Sequence, residues 1–244
     1  MTNNHTPELK QRLAKNWASV QSEIAEASVK ASRNPDSVQV IGVTKYVDAV
    51  TTHALYQAGC HHLGENRPQL LWQKAEAFGE YQVDPANLHW HMIGHLQRNK
   101  VRRTVKLGAM IHSVDSPRLL AAIAEEATAQ GKVVDVLLEA NISGEEAKTG
   151  MDRETLLAII DELPYPNVRI RGLMAMAGWG TGAEAARKQF AAARALRDEL
   201  KDRSGLTLDD LSMGMSGDFE SAIAEGSTMV RIGTRLFEGI LPAK

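Results

Sequence analysis

Cysteine is almost absent: Cys60 is the only one among 244 residues, so no internal disulfide can form. A disulfide-stapled fold is excluded, and the usage suits a reducing compartment. Long apolar runs are missing too. No stretch approaches the about 18 apolar residues that a membrane span needs. The N-terminal segment MTNNHTPELKQRLAKNW lacks the apolar core of a secretory signal. A soluble, cytoplasmic protein is expected. Neither sign of charge is in excess: 28 Lys+Arg stand against 30 Asp+Glu, a net of −2. Such a balance exerts no global pull toward nucleic acid or an anionic membrane. Low-complexity tracts are absent, and no GxGxxG follows the first apolar run.

What is present reads as an ordinary globular chain, 43% hydrophobic and 24% charged. The first segment, 8–31, places Leu9, Leu13, Trp17, Val20, Ile24 and Ala27 at helical spacing before Asn34-Pro35 ends it. Eight short apolar, β-branched runs follow, at 38–44, 61–65, 88–94, 110–115, 134–142, 168–176, 210–216 and 229–234. Several are apolar on consecutive residues, as strands buried on both faces are, which points to a parallel sheet covered by helices. Helical stretches lie between them. One at 116–130 opens with Ser116-Pro117, and one at 183–203 aligns Phe190, Ala193, Leu196 and Leu200. Eight unbroken β–α repeats predict a single-domain (β/α)8 TIM-type barrel over 1–244, with an extra N-terminal helix. An open doubly wound sheet is the competing architecture. Few residues follow the last run, so the N-terminal helix is expected to cover the barrel beside strand eight.

Barrel sites form at the C-terminal ends of the strands, with phosphate sites often after strands seven and eight. Strand one runs into Val43-Thr44-Lys45, with Ile41, Val43 and Lys45 on one face. An amine there can attack a carbonyl, although a surface lysine that starts a loop would read the same way. Strand seven runs into Met215-Ser216-Gly217-Asp218 before a helical stretch. Small residues at that place can cradle an anion, or Asp218 can simply cap the helix. Strand eight runs into Arg231-Ile232-Gly233-Thr234. Gly233 permits close approach, Thr234 offers N–H and hydroxyl, and Arg231 can meet a ring nitrogen, a phosphate or a structural carboxylate. A reactive lysine with a phosphate cradle points to pyridoxal 5′-phosphate. A sugar-phosphate aldolase would use the same two parts.

The stretches VIGVTKYVD (40–48), LGENRPQ (63–69), HWHMIGHLQRNK (89–100), ANISGEEAKTGM (140–151), RGLMAM (171–176) and LSMGMSGDFESAIAEGSTMVRIGTRLFEG (211–239) carry more. They resemble the pyridoxal phosphate homeostasis protein family, small barrels related to the N-terminal domain of alanine racemase. The resemblance implies Lys45 as the Schiff-base lysine. It implies that Ser216, Gly233 and Thr234 hold the phosphate, with a backbone contact from Met215. Asn66 would lie near the ring, and Arg231 would face the pyridine nitrogen or the phosphate. The implied role is cofactor binding in vitamin B6 homeostasis, with apo pyridoxal-phosphate enzymes as recipients and a monomer or weak dimer as the form. Two departures stand at the mouth. Arg67 replaces a common aromatic, and Leu236-Phe237-Glu238-Gly239 replaces a version of the final motif with smaller residues.

An arginine at the pyridine nitrogen disfavours its protonation, so the ring is a weaker electron sink. Racemisation needs an acid/base group on each face of the substrate carbon. In alanine racemase the second group is a partner subunit's tyrosine, beside an added β domain that is not expected here. Tyr46 is expected to point away from Lys45, and Tyr56, Tyr81 and Tyr165 to lie outside the mouth. A carrier is therefore expected over a weak amino-acid racemase, the alternative. His89, His91 and His95 are read as packed or mouth-lining rather than as a metal site. The basic run 97–103 is read as a solvated helix face without an aromatic platform. Glu145, Glu146 and Lys148 are candidates to gate the mouth, and Cys60 is expected to be buried and inert.

Overall fold

The computed structural model describes residues 6–81, 83–142, 149–178, 180 and 182–241. Each apolar run forms a strand: β1 (Gln39–Val43), β2 (His62–Glu65), β3 (His89–Met92), β4 (Met110–Val114), β5 (Val134–Glu139), β6 (Val168–Met174), β7 (Asp210–Met215) and β8 (Met229–Ile232). They pair in parallel in chain order, and β1 pairs back with β8 to close a barrel. The burial pattern agrees with a sheet covered on both sides, and the β1–β8 pairing is what closes it. Val40 through Thr44 are all buried, so β1 has no face left for water and must be covered on both sides.

The covering helices are α2 (Ala49–Gln57), α3 (Pro68–Phe78), α4 (Val101–Leu107), α5 (Pro117–Ala129), α6 (Arg153–Asp161), α7 (Ala183–Ser204) and the short α8 (Phe219–Ala224). Their starts are chemically marked. Asp48 caps α2 by accepting from Thr51 N at 2.8 Å, and Ser116 caps α5 with Pro117 in its first turn. Among the described residues no helix is long and apolar enough to cross a membrane.

The N-terminal helix α1 (Pro7–Lys30) precedes the first strand. Its stripe of Leu13, Val20, Ile24 and Ala27 is buried against the barrel. After β8 the described residues make a 3-10 turn, Thr234–Phe237, and α1 packs over that turn and α8. Asn16 Nδ2 donates to Leu236 O and Glu238 O, both at 3.0 Å. Just beyond α1, Arg33 Nη1 donates to Ile223 O at 2.9 Å and Ser227 O at 2.8 Å. The expected cover beside strand eight is therefore present.

Leu13 is fully buried in this seam. Leu13→Ala should destabilise the protein by about 3 kcal/mol, as a buried Leu-to-Ala change does. A urea unfolding midpoint equal to that of the unmodified protein would contradict the packing role.

Candidate functional site

At the mouth of the barrel, Lys45 lies half-buried in the turn that follows β1. The strand ends at Val43, so the extended alternation expected through Lys45 is cut short. Lys45 Nζ lies 4.9 Å from the centroid of the Tyr46 ring. The expectation that Tyr46 points away is therefore corrected. The turn breaks the strand alternation that would have sent the two side chains apart, and the cation settles over the ring. The remaining tyrosines do lie elsewhere. Tyr56 is in α2, and Tyr81 and Tyr165 follow the C-terminal ends of α3 and α6, at the end of the barrel opposite the mouth.

A buried polar triad sits under this turn. Glu65, at the end of β2, accepts from Thr44 Oγ1 at 2.8 Å and forms an ion pair with Lys74 of α3. Lys74 Nζ also donates to Thr44 O at 2.7 Å. Glu65 is fully buried and Lys74 nearly so. Burial lowers the Lys74 pKa, and the carboxylate of Glu65 pulls it partly back. Lys74 was missed by the sequence reading, yet it carries a signal. Leu71, Lys74 and Phe78 occupy one buried stripe of α3, where a lysine is out of place without a partner.

Asn66 follows directly, half-buried, and its side chain has no hydrogen-bond partner among the described residues. Its backbone is set by Gly94. A Cβ at Gly94 would come within 2.3 Å of Asn66 O, so only glycine allows the IGH segment to back the GEN turn.

Across the mouth, the loops after β7 and β8 join. Ser216 Oγ accepts from Gly233 N at 3.3 Å, and the Ser216 hydroxyl hydrogen has no acceptor among the described residues. The N–H and hydroxyl of Thr234 are also unpaired among them. Because β8 neighbours β1, Gly233 lies close to the lysine turn, and a Cβ there would be 3.4 Å from Val43 Cβ. Two expectations change. Asp218 makes no side-chain cap on α8; its Oδ1 accepts instead from Met215 N at 2.6 Å. The Met215 N–H is thus engaged within the loop, while its side chain is exposed. Arg235, which no motif singled out, braces the cradle. Its Nε donates to Ser216 O at 2.9 Å, and its guanidinium pairs with Glu23 of α1.

Arg231 projects from β8 into the interior and is 4% exposed. Its Nη1 donates to Ser212 O at 2.7 Å and Ser212 Oγ at 2.8 Å, and its Nη2 to Ala175 O at 3.1 Å. Among the described residues no carboxylate is within ion-pair distance of it, so the structural salt bridge is not its role. Burial lowers its pKa to about 10, against the more distant carboxylates of Asp218 and Glu139. Glu139, at the end of β5, is buried and accepts from Thr149 Oγ1 at 2.6 Å. Desolvation raises its pKa. On the rim, His95 Nδ1 contacts Asp115 Oδ2 at 2.7 Å. Strand five carries two acids, Asp135 and Glu139, and of these Glu139 is the one at the C-terminal end of the strand, where barrel sites form.

Below Arg231 the interior holds His112 and His91, both buried, and His62 at the barrel floor. Desolvation lowers the His112 pKa to about 3, and the Arg231 charge adds to it. It lowers His62 to about 4, and His91 well below the ordinary value. Among the described residues no three His, Cys, Asp or Glu groups converge as a metal site. Cys60 is fully buried, and burial pushes its thiol up to about 12, so it is inert as expected. The basic run is not without an aromatic neighbour. Arg103 and Lys100 lie 4.8 and 5.9 Å from the Trp72 ring centroid. Glu145, Glu146 and Lys148 lie outside the described residues.

Two predictions follow from these buried groups. Lys74→Met should cost about 3–5 kcal/mol because it leaves the Glu65 charge buried alone, and the double variant Lys74→Met/Glu65→Leu should recover much of that loss. A urea double-mutant cycle with no coupling between the two would refute the pairing. The histidines set a pH dependence. Folding lowers their proton affinity, so the unfolded chain takes up more protons and stability falls with falling pH. The loss should begin near 6.5 and deepen toward about 4, and should be shallower in His62→Gln. Chemical unfolding midpoints at a series of pH values read this directly.

Comparison with known proteins agrees with this geometry. Residues 10–240 match the family model described as alanine racemase, N-terminal domain. The pyridoxal phosphate homeostasis protein of Aquifex aeolicus is 40% identical over 215 residues, covering 88% of this chain and 92% of that protein. The Escherichia coli K12 protein of the same name is 34% identical over 232 residues, covering 92% and 95%. The solved structure of PipY from Synechococcus elongatus PCC7942, with PLP bound, is 36% identical, with a TM-score of 0.82 over 92% of this chain and 99% of that one. Alanine racemase from Corynebacterium glutamicum shares the fold at 14% identity, with a TM-score of 0.70 over 93% of this chain and 61% of that one. The family model over residues 10–240 and the relatives of 34–40% identity along most of the chain show that it belongs to the pyridoxal phosphate homeostasis protein family, within the wider family of the alanine racemase N-terminal domain.

Proposed function

We propose that this protein binds pyridoxal 5′-phosphate at the barrel mouth and serves vitamin B6 homeostasis as a carrier or buffer of the cofactor. The observation that carries the reading is the donor set of one rim. The primary amine of Lys45 follows β1, and the hydrogens of Ser216 and Thr234, unpaired among the described residues, follow β7 and β8, the neighbours that complete the barrel. That set fits the group: an amine for an aldehyde, hydroxyl and amide donors for a phosphate, and a buried cation with free N–H groups for an acceptor. The bound cofactor supplies the carbonyl with which the Lys45 amine condenses. Ser216, Gly233 and Thr234 hold the phosphate, and Met215 walls the loop beside them. Asn66 flanks the ring. Arg231 offers its remaining N–H groups to the pyridine nitrogen, and its fixed charge keeps a proton off that atom. Apo enzymes that use the cofactor are the proposed recipients, the cytoplasm the proposed location, and a monomer or weak dimer the proposed form.

A second reading, slow amino-acid racemisation, is favoured by one observation. His95, held by Asp115 at 2.7 Å, is a proton-carrying group on the rim in addition to Lys45. Conversion of L- to D-amino acids at enzymic rates, lost in His95→Gln, would select it.

Purified protein given pyridoxal phosphate should absorb visible light. Borohydride should then fix the chromophore on the peptide that contains Lys45. Lys45→Ala should lose the fixed adduct and keep weaker, phosphate-dependent binding. Fixation on another lysine, with Lys45 unlabelled, would overturn the assignment.

A further inference from the structure

The residues beneath Arg231 form a continuous file across the barrel. Arg231 Nη1 donates to Ser212 Oγ at 2.8 Å. Ser212 Oγ lies 2.9 Å from His112 Nδ1, His112 Nε2 lies 2.9 Å from His91 Nδ1, and His91 Nε2 lies 3.0 Å from His62 Nδ1. The file descends from β8 through β7, β4 and β3 to His62 at the start of β2, where the ring stacks on exposed His89 at 4.4 Å.

The direction of these bonds is determined. A hydroxyl has one hydrogen, and Ser212 Oγ already accepts from a guanidinium that can only donate. Ser212 is fully buried, and its only other partner among the described residues is His112 Nδ1. A His112 Nδ1–H would take the second lone pair of Ser212 Oγ and leave the buried hydroxyl hydrogen with no acceptor among the described residues, so the favoured arrangement sends that hydrogen to His112 Nδ1, which is then bare. A neutral imidazole with a bare Nδ1 carries its proton on Nε2. His112 Nε2–H then donates to His91 Nδ1, and His91 Nε2–H to His62 Nδ1. The last proton, on His62 Nε2, is left at the floor of the barrel. A second proton on His112 or His91 would set two donors against each other and break the file. The depressed proton affinities of all three rings agree with this.

We infer that Ser212, His112, His91 and His62 are positioning residues for Arg231: one polarised file, with every ring proton on Nε2, that holds the guanidinium in a single orientation at the cofactor site. The cation sets the direction of the file, and the file in turn anchors the Nη1 edge, leaving the Nε–H and the remaining Nη2 hydrogen without a partner among the described residues. The inference rests on the proposed contact between Arg231 and the cofactor.

The test has two arms on the full-length protein. Long-range proton–nitrogen NMR without added cofactor should find His112, His91 and His62 as neutral Nε2–H tautomers near pH 7. In Ser212→Ala, His112 should lose its single tautomer, and pyridoxal phosphate affinity should weaken by about tenfold, the cost of one hydrogen bond to a charged group. Ser212→Thr, which keeps the hydroxyl, should restore both. An Nδ1–H tautomer at His112 or His91 in the unmodified protein overturns the inference. So does a Ser212→Ala protein with unchanged affinity. If Ser212→Ala does not fold, the unmodified protein and Ser212→Thr still decide. If the unmodified protein takes up no pyridoxal phosphate, the proposed function fails instead, and the tautomers decide the file independently.

Discussion

A cation buried inside a closed barrel must find acceptors, because a guanidinium taken out of water without them is costly. Arg231 meets that constraint with two backbone carbonyls and the hydroxyl of Ser212 rather than with a carboxylate. The choice has consequences on both sides. Toward the mouth, no carboxylate among the described residues lies within ion-pair distance to neutralise the charge. Toward the floor, a buried hydroxyl and three neutral histidines line up on it. A carboxylate at the position of Ser212 would have satisfied the guanidinium and closed the mouth electrostatically.

The same logic governs the opposite side of the rim. Lys45 stands on a turn whose underside is a buried ion pair, Glu65 with Lys74, bound to Thr44 through both its side chain and its carbonyl. Removing one charge would strand the other, so the turn is held by the cost of breaking the pair rather than by its net attraction. The joined loops after β7 and β8 are braced from outside the barrel. Through Asn16 and Glu23, α1 grips the turn after β8, and Arg235 carries that grip to the Ser216 carbonyl. A helix that reads as mere cover is in this way part of what shapes the mouth.

The architecture was largely legible before any coordinates. Consecutive apolar residues in β1 and β5 signal strands buried on both faces, and the position of Ser116-Pro117 marks the start of α5. Lys45, Asn66, Ser216, Arg231, Gly233 and Thr234 do gather at strand ends on one side of the barrel. Legibility failed where a local rule gave way to geometry. Strand alternation cannot foresee that the chain turns at Lys45, so Tyr46 was sent to the wrong side. Helix-cap preference cannot foresee that Asp218 is better placed to hold Met215. Trp72 and Arg103 meet only because α3 and α4 are neighbours.

By itself, the sequence determined the periodicities, and with them the order of strands, the cover of helices and the end of the barrel at which chemistry can occur. These are local properties, set by side-chain spacing along a few turns or pleats. Only the tertiary structure decided the pairings between distant residues: Glu65 with Lys74, Glu23 with Arg235, and the file from Arg231 to His62. Hydrogen bonds require alignment within a few tenths of an ångström, and no spacing in the chain encodes that across strands that meet only when the barrel closes.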